Sequence, residues 1–169
     1  MSELEQSNIY EHNPDLLPTT DVIPHRPPRL WLSGVQTLVP GEYVKGFWIP
    51  GDEQFEGHFP GEPILQGVQE VESLAQLGCY AAMYEKPGEL GVLFEGGEDF
   101  SFPSPVFPGD VLELRVDFTE QNKRMFRGIG RAAVNGKVTC ETKIYGKIAP
   151  KQVVNELLRR AKEQRQTES

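Results

Sequence analysis

Much that would classify this chain quickly is scarce in it. There are two cysteines in 169 residues, Cys79 and Cys140. That is too few for a disulfide framework, and a pair of buried thiols in a reducing compartment is expected. No apolar run approaches the roughly 18 residues that cross a bilayer, so membrane insertion is not expected. The first 20 residues hold Glu3, Glu5, Glu11 and Asp15 but no Lys or Arg. That charge is wrong for a secretory leader or an organelle transit peptide and points to the cytoplasm. Basic residues are outnumbered, 17 Lys and Arg against 25 Asp and Glu, for a net charge of −8. An acidic chain lacks the electrostatic footprint of a nucleic-acid binder. Only three histidines occur. His12 falls in the acidic N-terminal stretch and His25 among prolines, and neither is assigned a role.

What is present is the composition of a globular domain: 38% hydrophobic and 25% charged residues, enough for one sizeable core. The reading divides the chain into a flexible acidic tail over 1–20, a folded domain over 21–149 and a C-terminal helix and tail over 150–169. Positive charge gathers at Lys123, Arg124, Arg127 and Arg131, and again at Lys151, Arg159, Arg160, Lys162 and Arg165. Such clusters form either solvated faces or a local dock for an acidic partner.

Strand patterns are expected over 30–38, 43–49, 111–118, 125–134 and 137–145. The last two flank Asn135-Gly136, a strong hairpin signal. Between 67 and 84 there is no proline, and Val68, Val71, Leu74, Ala75, Gly78, Cys79 and Ala82 recur at helical spacing. Leu77 and Ala81 widen the apolar arc, so the helix should be buried on most sides. A shorter amphipathic helix is expected after 150. One buried helix among antiparallel strands makes an α+β domain whose sheet curls around that helix.

The chemistry concentrates in 57–76. His58 lies in a loop with Phe59, Pro60 and Gly61, and its near-neutral pKa suits a general base. Gly67 leaves the start of the helix bare, so the N–H groups of Gly67 and Val68 would stabilise negative charge on a carbonyl oxygen. Glu72 lies about 7–8 Å further along the axis; in apolar surroundings it would hold a proton to donate to a leaving group. Glu70 competes for that role, because both acids fall within the wide apolar arc. Gln76, one turn after Glu72, would orient it. A metal site of Asp52, Glu56 and His58 matches no recognised ligand spacing.

The run Gly57-His58-Phe59-Pro60-Gly61-Glu62-Pro63-Ile64-Leu65-Gln66-Gly67-Val68, followed by Glu72-Ser73-Leu74-Ala75-Gln76, closely resembles the (3R)-hydroxyacyl-[acyl carrier protein] dehydratases of fatty acid synthesis. The likeness extends to Ile23-Pro24-His25-Arg26, to Pro105-Val106-Phe107-Pro108-Gly109-Asp110 and to Asn135-Gly136-Lys137-Val138. The resemblance implies a hotdog fold, a homodimer with active sites at the subunit interface, and often a trimer of dimers. It implies that His58 is the base, that Glu72 acts with the His of the other chain, and that Gly67 polarises the thioester carbonyl. The reaction implied is reversible loss of water from a 3-hydroxyacyl thioester, with no metal or redox cofactor and with substrate carried on the phosphopantetheine of acyl carrier protein. Gln66, Gln69 and Glu70 depart from the family pattern, as does the acidic stretch with Glu95, Glu98 and Asp99. These departures leave room for a specialised acyl or polyketide pathway. A hotdog thioesterase and a non-catalytic acyl-thioester-binding subunit are the alternatives.

Overall fold

The helical spacing after Gln66 resolves into Gly67–Met83 (α2), the long helix of a computed structural model that describes residues 10–167. A single turn, Thr19–Val22 (α1), precedes it and Lys151–Thr167 (α3) closes the chain. Six strands complete the fold: Gly34–Val39 (β1), Tyr43–Trp48 (β2), Leu90–Ser101 (β3), Leu112–Gln121 (β4), Met125–Val134 (β5) and Lys137–Pro150 (β6). They form one sheet in the order β1-β2-β4-β5-β6-β3, every neighbouring pair antiparallel. The expected hairpin joins β5 to β6, with Asn135 and Gly136 at φ of 51° and 75°, the left-handed pair that a tight two-residue turn requires.

The sheet wraps α2, as a hotdog fold does. Leu74, Leu77 and Tyr80 of the helix are fully buried with Val44, Leu112, Val116, Phe126, Ala132 and Ile144 of the strands. Close approach depends on missing side chains: a Cβ at Gly78 would lie 3.0 Å from the Phe126 ring, and one at Gly130 would lie 3.1 Å from Leu74 Cδ1. Both cysteines are buried and free, and burial pushes the Cys79 thiol up to about 12.

Two features differ from the sequence expectation. Residues 1–9 of the expected tail lie outside the described residues, but 10–20 are fastened to the domain. Asn13 N donates to Val35 O at 2.9 Å, Val35 N donates to His12 Nδ1 at 3.0 Å, Tyr10 Oη donates to Glu113 at 2.9 Å, and the buried Tyr80 hydroxyl reaches Leu17 O at 2.5 Å. These long-range bonds, rather than local periodicity, order the segment. The second difference is β3, a 12-residue strand at the sheet edge with no clear alternation. Its free edge exposes Phe94 and Phe100.

Candidate active site

The loop before α2 is built to hold one imidazole. Phe55, buried at its start, anchors it, and His58 N donates back to Phe55 O at 3.2 Å. Gly57 and Gly61 take φ of +77° and +84°, so the chain reverses around Phe59 and Pro60 at positions that favour glycine. Phe59 and Glu62 exchange backbone bonds at 3.2 Å, and Ile64 N donates to His58 O at 2.7 Å. The His58–Phe59 peptide bond is cis, and the two rings stack with centroids 4.3 Å apart.

His58 Nδ1 lies 3.0 Å from Ile64 O. A carbonyl oxygen only accepts, so Nδ1 carries a proton, and in the neutral ring Nε2 is the nitrogen with the free lone pair. The backbone thus presets His58 as a base through Nε2.

The same loop delivers the start of α2. Leu65 N donates to Val106 O at 2.9 Å, which ties the loop to the segment before β4. Gln66 is the N-cap residue, but no side chain caps the helix, so the N–H groups of Gly67 and Val68 have no partner within the helix. Val68 is 68% exposed. Gly67 is needed for contact: a Cβ there would stand 2.6 Å from the ring of Phe102. A bare, positively polarised helix end next to a preset base suits stabilisation of an enolate oxygen.

The two rival carboxylates part company. Glu70 is 3% exposed and faces β6. Burial pushes its carboxyl up to about 7. Neither Glu70 Oε2 nor Thr139 Oγ1 gains a hydrogen bond. Glu72 lies on the more open side with 38% of its side chain exposed, and Gln76 Nε2 donates to its Oε1 at 3.0 Å. Gln76 is itself buried and clamped from both ends: Nε2 also donates to Arg29 O at 2.9 Å, and Oε1 accepts from Trp31 N at 2.8 Å.

His25, given no role from sequence, brings its Nε2 to 3.7 Å from Glu72 Oε1. No local pattern signals this approach; the one hint is that Ile23-Pro24-His25-Arg26 shares the family likeness of the segment that holds Glu72. Among the described residues, His58 and Glu72 share no hydrogen bond or ion pair. Nor do three His, Cys, Asp or Glu side chains converge there as a metal site would need.

Residues 48–143 match the FabA-like domain family. The chain is 40% identical over 124 residues to the 3-hydroxyacyl-[acyl-carrier-protein] dehydratase FabZ of Roseiflexus sp. (strain RS-1), covering 71% of this chain and 86% of that protein. It is 42% identical over 127 residues to FabZ of Actinobacillus succinogenes, covering 73% and 85%. Among solved structures, the dehydratase heterocomplex ApeI:P from Xenorhabdus doucetiae superposes with a TM-score of 0.72 at 17% identity, over 84% of this chain and 97% of that one. A thioesterase-superfamily protein of Thermus thermophilus gives 0.65 at 16% identity, over 78% and 98%. The structures share the fold, and the sequences establish the family. This chain belongs to the FabA-like family, within the 3-hydroxyacyl-[acyl-carrier-protein] dehydratases.

Proposed function

We propose that this chain removes water from (3R)-hydroxyacyl thioesters carried on acyl carrier protein, giving trans-2-enoyl thioesters. His58 Nε2 takes the proton from the carbon beside the thioester carbonyl. The electron pair moves onto the carbonyl oxygen, where the N–H groups of Gly67 and Val68 and the dipole of α2 stabilise the negative charge. As the enolate collapses, the bond from carbon 3 to its hydroxyl oxygen breaks, and Glu72 supplies the proton that turns the hydroxyl into water. His58 is left protonated and Glu72 ionised, and proton exchange resets them. The thioester already acidifies the reacting carbon, so the chemistry needs no metal or redox cofactor.

The observation that carries this reading is the 3.0 Å contact of His58 Nδ1 with Ile64 O, one loop before an uncapped helix start. Phe59, Pro60 and Gly61 support it by shaping that loop. The reading places Glu72 with the His58 of a second copy, in a homodimer with shared sites. The long free edge of β3 and the absence of a direct His58–Glu72 bond within the described chain favour that arrangement. Acyl carrier protein is the acidic partner. Of the clustered cations, Arg131 pairs with Glu141, and Arg159 and Arg160 pair with Glu156, so Lys123, Arg124, Lys151 and Lys162 are the better candidates for docking it.

The test is product analysis on a 3-hydroxyacyl thioester. An enoyl thioester with no free thiol supports dehydration. Free thiol without enoyl product would make the chain a thioesterase, and binding without turnover would make it a non-catalytic subunit.

A further inference from the structure

The segment that carries His25 is fixed onto the residue that holds Glu72. Arg26 folds back over its own backbone, its guanidinium donating to Ile23 O at 3.0 Å, His25 O at 2.6 Å and Thr20 O at 2.8 Å. Downstream, Trp31 Nε1 donates to Pro28 O at 3.1 Å. Arg29 O and Trp31 N are then both taken by the amide of Gln76. The same Gln76 Nε2 donates to Glu72 Oε1. His25 and Glu72 are therefore placed by one shared anchor.

The tautomer of His25 follows from the surroundings of one ring nitrogen. Its Nδ1 is buried without a hydrogen-bond partner. An orphaned lone pair is tolerated better than an orphaned N–H, so the neutral ring keeps its proton on Nε2. That nitrogen faces Glu72 Oε1 at 3.7 Å, longer than a hydrogen bond but within ion-pair reach, and such contacts commonly tighten in the substrate complex. His25 and Gln76 thus both address Oε1, and Oε2 is left for the substrate.

We propose that His25 is a positioning residue for Glu72: together with Gln76 it holds Oε1, so that Oε2 presents the proton to the leaving hydroxyl. The inference rests on Glu72 being the acid of the proposed reaction. His25 touches no reacting atom and acts through Glu72.

The experiment measures kcat and KM for enoyl-thioester hydration by the full chain carrying His25→Leu, His25→Gln, Glu72→Gln or the His25→Leu/Glu72→Gln pair, with thermal melts to confirm folding. His25→Leu should lower kcat on the order of 10- to 100-fold, the scale of a misplaced catalytic group, with KM within about twofold. His25→Gln, which keeps a donor, should retain most of kcat. In the Glu72→Gln background, adding His25→Leu should cost less than about twofold more. A crippled Glu72→Gln beside an unchanged His25→Leu overturns the proposal and leaves the acid role of Glu72 standing. So does an undiminished His25→Leu effect in the Glu72→Gln background, or a His25→Gln variant as impaired as His25→Leu. Wild-type turnover by Glu72→Gln overturns both.

Discussion

Gln76 Nε2 donates at 3.0 Å to Glu72 Oε1, one helical turn away on α2, while the same side-chain amide satisfies Arg29 O and Trp31 N. Gln76 is thus both an orienting group and a tertiary clamp. It joins the helix to the proline-rich segment that precedes β1.

Replacing Gln76 with Leu should remove the clamp and leave the Arg29 carbonyl and the Trp31 amide without their partner. The expected loss is about 2 kcal/mol of stability, the cost of part-buried polar groups left unpaired, read as a lower midpoint in urea unfolding. Turnover should fall as well, because Glu72 loses its donor. A Gln76→Leu variant with unchanged midpoint and unchanged kcat would contradict both roles.

Glu70 should make stability depend on pH. Burial raises its folded pKa to about 7 from an unfolded 4.5, so the folded state holds a proton that the unfolded chain has lost. That contribution is fully present below about pH 4.5 and is lost as pH rises through 7. At most it amounts to about 3 kcal/mol. Unfolding free energies measured between those values should decline with pH in the wild type, and Glu70→Gln should flatten the decline. An equal slope in the two proteins would show that Glu70 titrates normally.

Gly67→Ala should destabilise the helix start, since its Cβ would fall 2.6 Å from the Phe102 ring. Phe102 is 47% exposed and its ring can shift, so the loss should fall at or below the roughly 1 kcal/mol low end of core overpacking. Adding Phe102→Ala should recover most of that loss by removing the ring. Failure of the second substitution to restore the melting temperature would locate the strain elsewhere.

The shared-site arrangement makes a distinct prediction for mixed protomers. His58→Ala and Glu72→Gln proteins, each inactive alone, should regain roughly a quarter of wild-type activity when unfolded together and refolded as a random mixture of dimers. Each heterodimer then keeps one intact His58–Glu72 pair across the interface. No recovery would mean that both residues serve a site within one chain.

The fold was readable where it is written in local pattern. Proline-free helical spacing located α2, and Asn135-Gly136 located the β5–β6 hairpin. It was hidden where distant contacts decide. β3 carries Gly91, Gly96 and Gly97 among acidic residues and owes its strand to pairing with β6; at Gly96 a Cβ would meet the Tyr145 hydroxyl at 2.9 Å. Residues 10–20 have no periodicity and are held by Val35, Tyr80 and Glu113. Within the site, the loop, the helix start and Gln76 follow from spacing along one segment. Glu70 and Glu72 could not be separated on a helical wheel, because the arc is wide and only the position of β6 decides which acid is buried. His25 belonged to the Ile23-Pro24-His25-Arg26 part of the family likeness, but with 47 residues of chain between it and Glu72 no local spacing showed that the two meet.

The most direct test of the central claim is the rate of enoyl-thioester hydration, followed by absorbance, for wild type, His58→Ala, Glu72→Gln and Glu70→Gln. His58→Ala and Glu72→Gln should each lose about 10²–10⁴-fold, the usual worth of a general base or acid, while Glu70→Gln stays close to wild type. Equal rates in all four proteins, or a loss in Glu70→Gln that matches Glu72→Gln, would contradict it.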